Sequence, residues 1–455
     1  MTIIDGLAIF GLILFFYFLI VFILYKKGLM KKYNISFFGP ALMIKTKKGI
    51  KFLKKLARHK KFWKGFGTSG IIICLTLMIL FTVFFVYTNF SFILSSTPEQ
   101  RAALPGAEII LVYPGINPAL PIETIGYFII AFIVAVIVHE FSHGILSLVG
   151  KIKVKSLGVL LFILPVGAFC EPDEEELTKA DTVKRMRVYA AGPLANFTAA
   201  IAVILILTFV FMPAVSQIEG MEVLSSAMDT PAEEIGLNAG CVITNINGTV
   251  ITNLTTYYKA LGLTLPNRTI NITYFTKGEY IKKEVKLDSL YKYDKSNESY
   301  KNISVLGAGL LNPDNRIFDY VKNPFTNDFP FSFLVLSLLP LANYLIGYSP
   351  IDEPFTNAYQ IEGFFSAISP EAFWVIFTVF FWVFWLNFLL GLFNILPLIP
   401  LDGGYLFKDG FSLFLKKTFK NINEEKREKI SKNVIFIVSL FILFAIVSQF
   451  FVKYI

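Results

Sequence analysis

The chain has 455 residues, of which 55% are hydrophobic and only 16% are charged, and it contains 48 Phe. This composition is far more apolar than that of an average soluble domain, and it is typical of a multi-pass membrane protein. The three cysteines, Cys74, Cys170 and Cys241, are widely separated. Their spacing therefore predicts neither a disulfide framework nor a Cys-ligated zinc site.

Six apolar runs reach the roughly 20 residues that a membrane-spanning helix needs. They predict transmembrane helices at residues 6–25, 70–90, 125–149, 188–215, 372–395 and 434–451. The first run has neither a basic segment before it nor a small-residue cleavage site after it. We therefore expect a retained helix there rather than a removed signal peptide.

Two further apolar runs do not fit a spanning helix. The run 157–170, LGVLLFILPVGAFC, is too short to span and contains two glycines and Pro165, so it predicts a re-entrant or hairpin segment covered by protein. The run 331–348 is interrupted by Pro340 and is followed by an acidic stretch without Lys or Arg. We expect this second run to remain on one side of the membrane.

The basic residues predict the orientation of the chain. The segment 26–64 holds 14 Lys and Arg and no acidic residue, which favours a cytoplasmic position. Alternation of the spans then places the large segment after the fourth run outside. We expect the protein to be an integral protein of the cell (plasma) membrane. Because the basic residues lie directly beside spans, the net charge of +9 favours contact with anionic membrane lipids and not nucleic acid.

The segment from 217 to 311 is polar and rich in strand-forming residues. It predicts a strand at 221–224, a short helix opened by Pro231, a helix at 255–261, and hairpins at Asn247-Gly248 and Lys277-Gly278. The stretch TPAEEIGLNAGCVITNINGTVI resembles a PDZ domain. Such domains bind peptide C-termini or extended strands at a sheet edge. A β-rich spacer without a ligand is the alternative.

Two histidines and a glutamate lie inside the third apolar run, in the stretch HEFSH. His139 and His143 are four residues apart, so a helix places them on one face, where they can hold one metal ion. Glu140 has the position of the general base in the H-E-x-x-H motif of zinc metalloproteases. Ionisable groups are costly in a membrane, so the motif indicates a catalytic site. A polar contact between helices is the alternative.

A catalytic zinc ion needs a third protein ligand and an open fourth position. The remaining histidine, His59, lies in the basic segment, where a solvated role is expected, so we expect the third ligand to be a carboxylate. Asp402, in NILPLIPLDGGYLF, follows two prolines and precedes two glycines that let the backbone turn and approach closely. An Asp that caps the next helix is the alternative.

Three motifs in successive apolar runs together resemble the site-2 protease family of intramembrane zinc metalloproteases. They are HEFSH, AGPLANF at 191–197 and NILPLIPLDGG at 394–404. The resemblance implies a polytopic α-helical membrane protein of about six transmembrane helices with an inserted extracytoplasmic α/β PDZ-like domain. It also implies Zn²⁺ as the cofactor, with His139, His143 and Asp402 as its ligands and Glu140 as the general base.

The resemblance further implies that Asn196 and Asn394 position substrate or stabilise the oxyanion. Hydrogen bonding between helices is an alternative for both amides. The expected substrates are transmembrane proteins, already trimmed by another protease and filtered by the PDZ-like domain, as in regulated intramembrane proteolysis. The corresponding domains are 1–95, a two-helix hairpin; 123–215, the first half of the catalytic core; 216–290, the PDZ-like domain; 291–370, a linker; and 371–455, the second half of the core.

Two functions of other classes remain open at this point. Intramembrane His, Glu and Asp side chains could bind a transported ion, as in a multi-pass transporter. The PDZ-like domain could instead serve a membrane scaffold that has no protease activity. Structural zinc sites are usually closed by four protein ligands, and this sequence offers three obvious ones, which disfavours the scaffold.

Overall fold

The computed structural model describes residues 3–102, 112–162, 164–311, 317–325, 331–341, 351, 353–419 and 421–452. The chain divides into two compact units. Unit 1 comprises Met1–Ala107, Ile130–Ala200 and Leu386–Ile455, and unit 2 comprises Glu108–Ile129 and Ile201–Trp385.

Long apolar helices dominate the fold, as the hydropathy pattern predicts. The α-helices are α1 Ile3–Lys26, α2 Leu29–Lys32, α3 Ile50–Leu56, α4 Lys60–Ser95, α5 Pro98–Ala102, α6 Ile125–Val149, α7 Glu174–Lys179, α8 Thr182–Ile206, α9 Pro231–Glu234, α10 Leu254–Gly262, α11 Ile317–Lys322, α12 Phe331–Leu338, α13 Pro370–Asn394, α14 Asp402–Thr418 and α15 Glu424–Val452. Among the described residues, five segments are long and apolar enough to cross a membrane, and they contain α4, α6, α8, α13 and α15. Helix α1, of 24 residues, covers the first predicted run. The protein is therefore a multi-pass helical membrane protein.

The β-strands belong to several separate sheets. They are β1 Ile35–Phe38, β2 Ala41–Thr46, β3 Val154–Phe162, β4 Leu164–Pro172, β5 Val215–Gln217, β6 Met221–Ser226, β7 Val242–Ile246, β8 Thr249–Val250, β9 Thr269–Thr276, β10 Glu279–Lys286, β11 Asp288–Ser289, β12 Ser304–Val305, β13 Ala308–Leu311 and β14 Tyr359–Ile361.

The apolar run 157–170 forms a hairpin, which was one of its two predicted structures. Strands β3 and β4 pair antiparallel, with Leu157 opposite Cys170. The hairpin is part of a four-stranded sheet in unit 1 of order β1-β2-β3-β4, in which β2 pairs with β3 from Leu42 opposite Leu161 to Thr46 opposite Leu157. The basic segment 26–64 is therefore not a simple loop, because it contributes two strands to this sheet.

A second sheet, in unit 2, forms the module predicted between residues 217 and 311. Its strand order is β10-β9-β7-β6-β13, and β8 pairs with β7. Both predicted hairpin turns are present: Asn247 and Gly248 have φ angles of 48° and 83°, as two-residue hairpin turns require. The sheet extends beyond the predicted domain end at 290, because β13 pairs with β6. We call residues 219–311 the sheet module.

The sheet module has a hydrophobic core of its own. Ile243, Ile246 and Ile272 are fully buried, and Tyr257 of α10 packs with them. The predicted strand at 221–224, the helix opened by Pro231 and the helix at 255–261 correspond to β6, α9 and α10 and are confirmed. In β9, buried Ile270, Ile272 and Tyr274 alternate with the more exposed Thr269, Asn271 and Thr273, as in a half-buried strand.

The run interrupted by Pro340 begins as a short helix. Helix α12 has 8 residues and is followed by a 3₁₀ turn at Leu339–Leu341, so this part of the run is too short to span. Residues 342–348 of the predicted run lie outside the described residues.

Candidate metal centre

Three predicted ligand side chains come together in unit 1. The Nε2 atoms of His139 and His143 lie 3.0 Å and 3.1 Å from the same oxygen, Oδ2 of Asp402. The three ligand atoms all lie within 4.8 Å of one another. Both histidines are buried, with 7% and 8% of their surface exposed, because α6 is covered here by α8. The helical spacing predicted from the sequence thus places both imidazoles on the face that meets Asp402.

The second nitrogen of each imidazole contacts an oxygen that can only accept a hydrogen bond. His139 Nδ1 lies 3.0 Å from Asn196 Oδ1, and His143 Nδ1 lies 2.7 Å from the carbonyl oxygen of Val188. Each Nδ1 must therefore carry a proton and donate it, which assigns the tautomer from the hydrogen bonds. In neutral imidazoles the two Nε2 atoms are then left with lone pairs, the state in which histidine ligates metals.

This donor set fits a divalent cation. Two Nε2 lone pairs and a carboxylate oxygen converge within hydrogen-bonding distance, and without a proton or a cation between them these groups repel one another. Two imidazoles and one carboxylate are also the three-ligand set of many catalytic zinc sites, which leave a fourth position open. The contacts to Asn196 and Val188 orient the rings in the way that outer-shell partners of metal-ligating histidines do.

Gly192 brings α8 close to the two histidines. A Cβ atom built at Gly192 would lie 2.5 Å from His143 Nε2 and 2.6 Å from His139 Nε2. Only glycine fits at this position, because any side chain would occupy the space in front of the two ring nitrogens. The motif AGPLANF thus supplies both this close approach and Asn196, which lies one turn further along α8.

Asp402 begins α14, directly after the segment broken by two prolines. The following glycines pack against that segment: a Cβ at Gly403 would lie 2.3 Å from Ile395 O, and one at Gly404 would lie 2.8 Å from Ile399 N. The N-cap residue of α14 is Leu401, and Asp402 lies in the first helical turn. Its side chain, 17% exposed, contacts both imidazoles and so does more than cap a helix.

Glu140 is half-buried and contacts the hairpin. Its Oε2 accepts a hydrogen bond of 2.7 Å from the backbone N–H of Cys170 in β4. Gly144 permits this approach, because a Cβ there would lie 2.9 Å from Cys170 Sγ. Burial, followed by the charge of Glu140, raises the pKa of Cys170 to about 12.

The two asparagines occupy different positions. Asn196 is fully buried, and its amide is engaged at both ends: Oδ1 accepts from His139, and Nδ2 donates to Ala135 O at 3.3 Å. This arrangement orients His139 and is the hydrogen bond between helices that the sequence left open as an alternative; the contact of Asn196 with substrate stays a prediction. Asn394 ends α13, is half-buried, and donates from Nδ2 to Leu390 O of its own helix at 2.9 Å. Its role toward substrate stays a prediction.

Three features of the site have little or no signal in the sequence. The Val188 carbonyl and the Cys170 N–H are backbone groups, which no residue type reveals. The contact of Asn196 with His139 joins residues 57 positions apart and depends on how α6 packs against α8. The inclusion of Asn196 in AGPLANF was the one available sign that it belongs to the site.

The order of these motifs agrees with a match to a known protein family. The model of Peptidase family M50 matches residues 127–446, which include the histidine pair, Asn196 and Asp402. The chain belongs to Peptidase family M50. This is the site-2 protease family whose motifs the sequence resembles, and the M50 match spans α6 through most of α15.

Two relatives illustrate the range of M50 similarity. A protein of Methanocaldococcus jannaschii that is named only as uncharacterized is 27% identical over 411 residues, covering 90% of this chain and 86% of the relative. The zinc metalloprotease RasP of Shouchella clausii is 29% identical over 231 residues. That match covers 49% of this M50 member and 49% of RasP, so the chain spans about half the length of that relative.

Two solved structures match about a fifth of the chain. The PDZ domain of an SdrC-like protein from Listeria monocytogenes is 22% identical to this chain, with a TM-score of 0.18. The match covers 92% of that domain and 21% of this chain. The second domain of a Listeria protein gives 23% identity, also at a TM-score of 0.18. We draw no argument from these low scores.

Proposed function

We propose that this M50 member is an intramembrane zinc endopeptidase that hydrolyses peptide bonds within transmembrane segments of other membrane proteins. The observation that carries the proposal is the convergence of His139, His143 and Asp402 in a helical membrane protein. The similarity to the zinc metalloprotease RasP supports it. Three costly groups so close together in apolar surroundings are difficult to explain as packing.

Zinc would be held by the two Nε2 atoms and the Asp402 carboxylate. When bound, it would supply a Lewis acid for the scissile carbonyl and would lower the pKa of bound water to about 7. The hydrogen bonds from Nδ1 of each histidine to Asn196 and Val188 hold the rings in the ligating orientation. These contacts preorganise the ligands before an ion or a substrate arrives.

Glu140 is the proton carrier in this proposal. It accepts a proton from the attacking water and delivers it to the leaving amine, which is the general acid–base role of the motif. The Cys170 N–H donates to one carboxylate oxygen and leaves the other available for the water. The hairpin of β3 and β4 therefore orients the carboxylate of Glu140.

The substrate helix must unwind before its peptide bonds can react. Inside a membrane the backbone N–H and C=O groups of a helix bond to one another, which shields each carbonyl. Substrates with helix-breaking residues near the cut should therefore be preferred. The half-buried amide of Asn394 could offer a donor and an acceptor to an unwound backbone.

The strand pairing in unit 1 supports the proposed orientation. Strand β2 lies in the basic segment after α1, and β3 follows the HEFSH helix, so their pairing requires both segments to lie on the same side of the membrane. The basic charge of the first segment favours the cytoplasmic side. We propose that the site lies near the cytoplasmic face of the plasma membrane and that the sheet module lies outside.

We further propose that the sheet module restrains bulky ectodomains, so that only substrates that another protease has already trimmed are cut. Capture of a new C-terminus at a sheet edge is the competing role. Replacing the sheet module, residues 219–311, with a short Gly-Ser linker distinguishes the two roles. Cleavage of untrimmed substrate supports the filter, whereas loss of cleavage of trimmed substrate supports capture.

The proposed activity is tested with purified protein and a model single-span substrate that has a short ectodomain and a Gly-Asn pair in its helix. Mass spectrometry of the products should locate the cut inside the apolar segment. Cleavage should stop on chelation, return with Zn²⁺ and be absent from Glu140→Gln. A matched control, Glu175→Gln, removes an exposed carboxylate paired with Lys179 and should leave cleavage unchanged. Folded, zinc-loaded protein that cuts none of several such substrates would contradict the proposal.

A further inference from the structure

We infer that the ion pair between Arg185 and Asp409 fixes the register of α14 against α8 and thereby positions Asp402 at the histidine pair. This inference rests on the metal centre of the proposed function. Arg185 and Asp409 touch neither the histidines nor Asp402, so they are positioning residues.

The pair is a bidentate contact at a buried position. Arg185 Nε lies 2.8 Å from Asp409 Oδ2, and Nη2 lies 3.1 Å from Oδ1. Asp409 is 1% exposed. Lys408 also lies near Asp409, at 3.9 Å from Oδ1, and it pairs with Glu428 at 3.4 Å. Two parallel N–H···O bonds constrain both distance and angle, which a single lysine contact does not.

Arg185 and Asp409 make the first of two successive contacts between α8 and α14. Tyr189, one turn after Arg185, stacks on Tyr405, which lies one turn before Asp409, with ring centroids 5.3 Å apart and ring planes 26° apart. Residues 402, 405 and 409 lie on one face of α14, since positions i, i+3 and i+7 share a face. The next contact in this direction joins Asp402 to the histidines that Gly192 faces.

The geometry of the helices makes register critical for Asp402. A helix rises about 1.5 Å per residue, so a shift of one residue would move the Asp402 carboxylate by about half of its present 3.0 Å separation from His139. Asp402 follows a segment broken by prolines, which leaves α14 without a continuous helix to align it. The ion pair lies two turns into α14 and supplies that alignment.

Arg185 also contacts the segment that follows the hairpin. Its Nη1 donates to Thr178 O at 3.2 Å and to Ala180 O at 2.9 Å, at the end of α7. Helix α7 follows β4, which carries the Cys170 N–H bonded to Glu140. The Arg185 guanidinium group therefore hydrogen-bonds both to α14, which carries Asp402, and to the segment after the hairpin that orients Glu140.

The test uses full-length protein in detergent, and it compares Arg185→Gln, Asp409→Asn and the double variant with the unmodified protein. Two readouts are recorded: zinc affinity by competition with a chelator, and the visible absorption spectrum of the Co²⁺-loaded protein, which reports ligand geometry. Arg427→Gln is the matched control. Arg427 lies on α15 and donates to Ser412 of α14 at 3.1 Å, and it takes no part in the contacts between α8 and α14. Arg185→Lys and Asp409→Glu serve if the neutral variants do not fold.

We expect each single variant to lose zinc affinity by at least about tenfold and to change the Co²⁺ spectrum. The double variant should be no worse than the worse single variant, because both remove the same interaction. Arg427→Gln should keep the affinity within about twofold and the spectrum unchanged. A lowered melting temperature with unchanged affinity and spectrum, or an equal loss in Arg427→Gln, would overturn the inference.

Cleavage of the model substrate is measured on the same samples. Unmodified protein that binds Co²⁺ through the histidines but cuts nothing would contradict the proposed function and leave the inference to be decided by the spectra. Cleavage by Asp409→Asn at the unmodified rate with an unchanged spectrum would contradict the inference and leave the proposed function standing. Unmodified protein that binds no metal would overturn both.

Discussion

Gly192 lies directly in front of His143, with space for a hydrogen atom but not for a methyl group. A Cβ atom at Gly192 would fall 2.5 Å from His143 Nε2, in the space where a metal ion would sit. This contact joins α8 to the HEFSH helix, α6. Replacing Gly192 with alanine, which adds one methyl group, therefore probes the metal centre.

We therefore expect Gly192→Ala to lower zinc affinity and kcat/KM by at least about 10- to 100-fold, because the methyl group must displace an imidazole. Isothermal titration with Zn²⁺ and the cleavage assay measure the two effects. Gly65→Ala is the control, since Gly65 also lies in a helix and has nothing within 4 Å of its added Cβ. Equal zinc affinity in both variants would contradict the proposed position of the ion.

The second prediction concerns the amide behind His139. Asn196→Ala removes the acceptor that orients this ring, and zinc affinity should fall by about 10- to 100-fold. Asn196→Asp keeps an acceptor and should retain most of the affinity. Asn89→Ala removes another buried amide, bonded to Gln449 on α15, and should lower the melting temperature without changing zinc affinity. If Asn196 instead contacts substrate, Asn196→Ala would raise KM and leave zinc binding intact.

The third prediction is a pH dependence in the sheet that carries the hairpin. The Ser156 hydroxyl, and after it the Lys45 ammonium at 3.1 Å, hold the pKa of Glu171 below its usual value. A lowered folded-state pKa stabilises the fold above the unfolded pKa of about 4.3, and this contribution is lost as pH falls through the folded pKa. The melting temperature of the unmodified protein should exceed that of Glu171→Gln at pH 7, and the difference should vanish in acid. A difference independent of pH would contradict this.

The fourth prediction concerns a close contact of the sheet module. A Cβ at Gly240, whose φ is +82°, would lie 1.8 Å from Pro354 O. Gly236 has a similar φ of +74° but nothing within 4 Å. Both Ala variants bear the cost of a left-handed backbone, about 1–2 kcal/mol, and only Gly240→Ala adds the clash. Thermal unfolding should therefore show the larger loss in Gly240→Ala, and equal losses would indicate that this contact does not matter.

The site was more predictable than the four-stranded sheet of unit 1. The motif HEFSH and the shortage of other histidines were enough to predict the side chains that converge, since helical spacing is local and His59 lies in a basic segment. Asp402 could be predicted because its neighbouring prolines and glycines are visible in the sequence. The partners of these groups depend on packing between distant helices, so the sequence leaves two roles open for Asn196: contact with substrate, and hydrogen bonding between helices. Its bond to His139 is of the second kind.

The strands β1 and β2 were missed for a physical reason. Their sequences, ISFF and ALMIKT, are short and lie among lysines, so local composition favours a solvated loop. They become strands because β2 pairs with β3, whose residues lie more than 100 positions later in the chain. In the sheet module, by contrast, the turn residues Asn247-Gly248 and Lys277-Gly278 are local signals, and both hairpins followed. The contact of Arg185 with Asp409, 224 positions apart, has no such signal.

The most direct measurement of the central claim is the X-ray absorption spectrum of the purified protein at the zinc edge, compared with that of Asp402→Ala. We predict a shell of two imidazole nitrogens and at least one oxygen at about 2.0–2.2 Å, and loss of zinc or of one oxygen ligand in the variant. A shell that contains sulfur at about 2.3 Å, or a spectrum that Asp402→Ala leaves unchanged, would contradict a zinc centre built from His139, His143 and Asp402.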